Sequence, residues 1–170
     1  IYASSKTDVY IAGHNDQAFG KMYHFDGAKW QPVRLAAGEG GIIPAAFTVE
    51  RVMGFGGGTV YGVGERIYSN PSPPPNFLDS SFIIDFDGQQ WHEMEIERGR
   101  TLLSIWGASP TDLWAGGLYG TMYHGNGTTW ELTPFPRHHW ISDLGGTSSS
   151  NVYALAYAVD TSPADTVFRW

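Results

Sequence analysis

The chain has 170 residues, of which 42% are hydrophobic, 15% aromatic and 16% charged, with a formal net charge of -7. That acidic balance excludes a nucleic-acid phosphate backbone as the expected partner, since the two would repel. The lack of any cysteine removes disulfides, thiolate metal sites and a cysteine nucleophile, and no apolar run approaches the ~18 residues of a spanning helix, so membrane insertion is not expected. The length suits one domain with a real core. Abundant glycine (22 residues) and aromatics indicate an all-β chain rich in turns.

Taken in order, the chain repeats itself. A hydrophobic–aromatic pair recurs as Val9-Tyr10, Val60-Tyr61, Leu113-Trp114 and Val152-Tyr153, at offsets of 51, 53 and 39 residues. A polar turn precedes each pair: SSKTD (4–8), GGGT (56–59), ASPTD (108–112) and TSSSN (147–151). A second alternating run follows, through Met22-Tyr23, Ile83-Ile84, Met122-Tyr123 and Val167-Phe168. Then come DGAKW (26–30), DGQQW (87–91) and NGTTW (126–130). Asp-Gly and Asn-Gly favour tight hairpins because both residues tolerate positive φ.

The cleanest copy spans 102–132 and reads as four strands, A to D, at 102–106, 113–116, 121–124 and 130–133. Strand A is mostly apolar, as for a strand covered on both sides. Strand D alternates. Over 91–97, Glu93, Glu95 and Glu97 share one face and Met94 and Ile96 the other, and Pro32 sits in the first D strand. Charge and proline discourage pairing at an exposed edge, which places D at the rim. A period of ~40 with four strands each predicts a β-propeller. The predicted units are approximately 1–48, 49–101, 102–140 and 141–170 of a single propeller domain, either four-bladed or part of a larger ring. Both terminal units read as incomplete, so a second copy or flanking blades are expected to complete the ring. A start at Ile1 rather than methionine reads as a processed or excised piece.

The run SIWGASPTDLWAGGLYGTMYHGNGTTW (104–130) resembles the G-x-S-x-x-D-V-W-A-V-G…G-T-I-x-H-x-D-G-x-x-W repeats of bacterial extracytoplasmic β-propellers. It is more loosely similar to the Asp-box repeats of sialidase-type propellers. The first copy keeps most of the pattern in KTDVYIAG and MYHFDGAKW. The second has Thr59 in place of the Asp before strand B, and the fourth has Asn151 there. The resemblance implies an extracellular or periplasmic setting. It does not imply an activity, because such repeats occur in binding modules and glycosidases alike.

Departures from the repeat locate the expected functional face. The B–C connections at 14–19, 65–81 and 158–165 and the D–A connections at 36–46 and 134–140 all emerge on one face of a propeller. Loops on a rigid scaffold carry function. The candidate ligand-binding residues on that face are His14, Asp16, Arg66, Tyr68, Phe77, Asp79, Tyr119, Arg137, His138 and Trp140. Phe77, Tyr68 and Tyr119 near the loops suit stacking on sugar rings, and the Arg137–Trp140 cluster could offer an imidazole base, a metal ligand or an anion contact.

Other repeated residues read as scaffold. Asp8 and Asp112 are expected to bond nearby turn amides, as are Asp26, Asp87 and Asn126. His24 and His124 read as solvated strand ends, because Asp85 and Arg169 stand at the same position. Tyr10, Tyr61, Trp114 and Tyr153 read as packing between blades. No metal-ligand spacing is present among the six histidines, so no metal or cofactor is expected. The prolines of 69–77 read as a stiff loop. A glycosidase reading has carboxylates available, Glu65, Asp79, Asp16 and Asp160, but no spacing favours a pair. The sequence therefore points to a non-catalytic recognition or scaffold module that binds a glycan or protein. A sialidase-type enzyme and a purely structural repeat of a larger surface protein are the alternatives.

Overall fold

A computed structural model describes residues 1–14, 20–33, 47–69, 77–98, 101–159 and 166–170. The fold is all-β, with four separate antiparallel sheets among the described residues. Each repeat folds into its own antiparallel meander with strands in chain order. The first sheet holds β1 (Tyr2–Ser5), β2 (Asp8–His14), β3 (Gly20–Phe25) and β4 (Trp30–Pro32). The second holds β5 (Phe47–Gly56), β6 (Thr59–Ser69), β7 (Phe77–Asp87) and β8 (Trp91–Arg98). The third holds β9 (Leu102–Ser109), β10 (Asp112–Gly117), β11 (Met122–Gly125) and β12 (Trp130–Leu132). The fourth has three strands among the described residues, β13 (His139–Ser148), β14 (Asn151–Ala158) and β15 (Thr166–Arg169).

Two compact units divide the chain, Ile1–Thr101 and Leu102–Trp170, each with two sheets. In the first unit, Tyr10, Met22 and Val33 of the first repeat form one core cluster with Val49, Val52, Val60, Phe82 and Ile84 of the second. In the second unit, Trp114, Met122 and Phe135 cluster with Ile141, Leu144, Val152, Ala154 and Ala156. The hydrophobic pair of strand B thus splits between faces, as a period of two requires.

Register is fixed at both ends of strand A. Near the A–B turn one residue bulges in every copy: Ser4, Phe55, Ala108 and Thr147 lie between paired positions. At the other end Glu50, Leu103 and Ser142 do the same. The A–B turns are closed by hydroxyls. Ser5 Oγ accepts from Thr7 N–H and Ser109 Oγ from Thr111 N–H, both at 3.2 Å. The C–D turns are closed by side-chain carbonyl or carboxylate oxygens. Asp26 accepts from the amides of Ala28 and Lys29, Asp87 from Gln89 and Gln90, and Asn126 from Thr128 and Thr129. The following glycines, Gly27, Gly88 and Gly127, have φ of 91°, 95° and 88°, which an L side chain adopts only at a cost.

Three expectations change. The connection expected over 65–81 is mostly hairpin: β6 and β7 stay paired out to Ser69↔Phe77, so its candidates sit on strands. In β8 the apolar face is not uniformly covered: Met94 is 37% exposed and Ile96 half-buried, like Glu93 on the other face, because at a sheet edge neither face is fully covered. Asp8 and Asp112 point across the sheet to histidines, as described next.

Candidate functional site

The B–C connection of the third repeat is a single 3-10 turn, Leu118–Gly120, and it carries Tyr119. Tyr119 has φ 54° and ψ 37°, a left-handed conformation that is rare for a residue with a side chain. Gly120 has φ +68°, and a Cβ there would lie 2.6 Å from the Pro136 carbonyl oxygen and 2.9 Å from Arg137 Cα. Only glycine lets the turn press this closely on the connection that follows β12. That connection ends in a turn in which His139 N–H donates to Pro136 O at 3.2 Å. It exposes Arg137 and His138 and delivers Trp140 into β13.

The result is an aromatic cluster drawn from two repeats. Tyr119 and Trp140 meet edge to face, with centroids 5.7 Å apart at 80°. Trp140 and Tyr157 meet at 5.4 Å and 65°, because they are cross-strand partners in β13 and β14. Tyr119 is 47% exposed, and Trp140 and Tyr157 are half-buried. The Trp140 indole N–H has no hydrogen-bond partner among the described residues. Val159, 44% exposed, continues the apolar surface, and its amide donates to His138 O at 2.8 Å.

Of the sequence-predicted candidates, the structure therefore brings together Tyr119, Arg137, His138 and Trp140. Asp16 lies outside the described residues, as do Asp160, the loop at 36–46 and the prolines of 71–75. His14, Arg66, Tyr68, Phe77 and Asp79 are placed by backbone: Arg66 pairs with Ser80, Asp79 with Ile67, Tyr68 with Leu78 and Phe77 with Ser69. Tyr157 was missed. Its signal was its place at the end of strand B, just before a departure from the repeat.

At the other end of the sheets sits a repeated Asp–His–aromatic set. His24 Nε2 lies 2.6 Å from Asp8 Oδ1, and the ring stacks on Tyr10 at 4.2 Å. His124 Nε2 lies 2.7 Å from Asp112 Oδ1, and the ring stacks on Trp114 at 4.1 Å. Histidine and aromatic are cross-strand partners, Tyr10↔His24 and Trp114↔His124. Burial, then the Asp8 charge, push the Tyr10 phenol up to about 12. Asp8 and Asp112 are thus cross-sheet braces rather than turn caps. In the second repeat Asp85 takes the histidine position, opposite Tyr61, and burial raises its pKa. A shallow cavity of ≈ 160 Å³ opens by His124, Gly125, Asn126, Thr129 and Glu131. That is small beside the several hundred Å³ of an ordinary ligand pocket.

Of the carboxylates raised for glycoside chemistry, Asp16 and Asp160 lie outside the described residues and Asp79 is placed by backbone alone. Glu65 lies in β6 and accepts from the Thr101 hydroxyl. Among the described residues no group of three or more His, Asp or Glu could hold a metal ion.

No family model matches the chain, and no curated protein matches it. Among solved structures it is similar to YCF48 bound to D1 peptide, at 12% identity and a TM-score of 0.45, covering 90% of this chain and 59% of that one. It is also similar to YCF48 from Cyanidioschyzon merolae, at 11% identity and a TM-score of 0.40, covering 88% and 62%. The chain spans about three fifths of the length of these structures.

Proposed function

We propose that the chain is a non-catalytic recognition module that binds a protein segment through the end of the sheets bearing the B–C and D–A connections. The observation that carries this reading is the Tyr119–Trp140–Tyr157 cluster. Three rings from two repeats present an apolar, slotted surface held by a strained turn, and strain of this kind gathers at functional sites. The surface is a patch rather than an enclosed cavity, which suits a proline or aliphatic side chain of a peptide. Aromatic residues are also the usual energetic anchors of protein interfaces. Arg137 and His138 on the adjoining turn add polar contacts for the peptide backbone or an acidic flank. An extracytoplasmic setting belongs to the same proposal and rests on the repeat resemblance.

Glycan binding is the second reading, favoured by the same exposed ring of Tyr119. The test screens a peptide display library and a glycan array with the wild-type chain and with Trp140→Ala and Tyr119→Ala. The expected result is peptide enrichment that both variants lose while far-UV circular dichroism is unchanged. Peptide binding that survives both substitutions, or binding confined to the glycans, overturns the protein reading. Turnover of chromogenic glycosides overturns the non-catalytic one.

A further inference from the structure

The C–D turns of the first three repeats share one geometry. Asp26 N–H donates to Lys29 O, Asp87 N–H to Gln90 O and Asn126 N–H to Thr129 O, at 3.2, 3.2 and 3.1 Å. The first two turns hold a carboxylate, and its second oxygen takes a side-chain donor from the following strand. Gln31 Nε2 donates to Asp26 Oδ2 at 2.6 Å, and His92 Nε2 to Asp87 Oδ2 at 3.0 Å. The third turn holds an amide. Its Oδ1 accepts from the Thr128 and Thr129 amides at 3.0 and 2.9 Å, so Nδ2 stands where the other turns have Oδ2. The residue in the place of Gln31 and His92 is Glu131, and no hydrogen bond ties Asn126 Nδ2 to it or to any other group among the described residues. Asn126 is exposed and lines the shallow cavity with His124, Gly125, Thr129 and Glu131.

These are the parts of an acyl-transfer site. Two backbone N–H groups aimed at one carbonyl oxygen withdraw electrons from its carbon and stabilise the charge that grows on the oxygen under attack. A nucleophile is next in the chain: the Gly127 nitrogen, whose N–H makes no hydrogen bond among the described residues and whose residue has no Cβ in the way. We propose that Asn126 deamidates in the folded protein, with the Gly127 nitrogen attacking Cγ. That nitrogen gives up its proton and bonds to Cγ, the Cγ–Nδ2 bond breaks, and Nδ2 leaves as ammonia, closing a five-membered imide. Water then adds to Cγ and the Cγ–N bond reopens, so that aspartate replaces asparagine, with water consumed and ammonia released. The aspartate keeps both turn amides, as Asp26 and Asp87 do. Opening at the other carbonyl would route the main chain through Cγ and take the cap off those amides, so the turn favours the α-linked product. The third repeat thereby gains a negative charge beside Glu131 and acquires the turn residue of the first two. The site lies within the second unit, and the inference is independent of the reading of the loop-bearing end.

Asn151 is the built-in control. Its Nδ2 donates to Thr147 Oγ1 at 2.7 Å, the amide that follows it, Val152 N–H, donates to Trp170 O at 3.2 Å, and the branched valine crowds the attack. The wild-type chain is held at pH 8 and 37 °C, sampled over weeks and digested with trypsin, which places the two asparagines in separate peptides, 101–137 and 138–169. The expected result is the gain of one mass unit in the first peptide at least tenfold faster than in the second, with a product that co-elutes with the peptide of Asn126→Asp and outweighs isoaspartate. In urea, where the turn is lost, isoaspartate should become the major product. Far-UV circular dichroism confirms that the buffered chain stays folded. The proposal is overturned if Asn126 stays intact in the folded chain, if Asn151 reacts as fast, or if the folded chain yields chiefly isoaspartate.

Discussion

The two compact units solve one packing problem with different residues. In each, a sheet presenting a strand-B aromatic and a strand-C methionine meets a sheet presenting β-branched or small residues. In the first unit the receiving sheet supplies the bulk, with Phe82 and Ile84 fully buried, and the presenting residue is Tyr10. In the second unit strand B of the receiving sheet carries Val152, Ala154 and Ala156 where the first has Val60, Gly62 and Gly64. Phe168 and Trp170 pack against the cluster, and the presenting sheet brings Trp114. Phe135 adds to it, stacked on Trp170 at 5.3 Å and set against Phe168 at 4.7 Å. The frame of turns and A–B bulges is held constant while the residues that fill the contact differ. Close-packed interiors require each contact to be filled, because neither a void nor an overlap is cheap.

Removing the large member from each side tests that difference most strongly. Trp114→Ala and Phe82→Ala should each lower stability by about 3–5 kcal/mol, read as a fall in the urea midpoint. If bulk were supplied redundantly on both sides, one of the two would be nearly silent. Importing the second unit's solution into the first is the next test. Tyr10→Trp adds volume where Phe82 and Ile84 already fill the contact, and should cost about 1–3 kcal/mol. The reciprocal change, Trp114→Tyr, should cost less than Trp114→Ala. The Asp–His braces are common to both units and only partly buried, so Asp8→Asn and Asp112→Asn should each cost less than about 1 kcal/mol, and their sum in the double variant should be additive.

The smallest effect separates the units by pH. Backbone amides of Lys29 and Ala28 and the Gln31 side chain hold Asp26 down to about 2. The His92 ring and the amides of Gln90 and Gln89 hold Asp87 to about 2. Both values lie below the ordinary carboxylate 3.8, so their support is present above that pH and is lost as pH falls towards 2. The third repeat has Asn126 in the same turn and no such loss. Amide hydrogen exchange between pH 5 and pH 2 should accelerate at Lys29 and Gln90 relative to Thr129, beyond the intrinsic pH effect. Asn126→Asp should make Thr129 follow them. His92 runs the other way: Asp87 raises its pKa, so its contribution is complete below about 6.5, the ordinary histidine value, and fades as pH rises through the raised value.

The meanders, the glycine turns and the buried strand-B aromatics were legible because each is written in residues close in sequence. A turn needs Asp26-Gly27, and a strand needs its own alternation. The braces were not legible, because Asp8 and His24 are sixteen residues apart and meet only once the register sets Tyr10 opposite His24. Reading Asp8 and Asp112 as caps applied a correct local rule to residues whose partners are across the sheet. The candidate site was half legible. Arg137 and Trp140 were selected as departures from the repeat, and Tyr119 as an aromatic near the loops. Tyr157 belongs to a regular strand and joined them only through its pairing with Trp140. The hairpin that carries β6 and β7 out to Ser69↔Phe77 was hidden because serine and proline signal a loop.

The paired bulges of strand A have an evolutionary consequence. With one extra residue locking each A–B junction, and another near the opposite end in three of the four copies, every copy carries its own alignment mark. An insertion in a B–C or D–A connection then cannot propagate as a slip along the sheet, which would turn each apolar residue to the wrong face. The scaffold can accept new loop sequences one copy at a time, and the end bearing those connections is free to diverge while the register of each sheet holds.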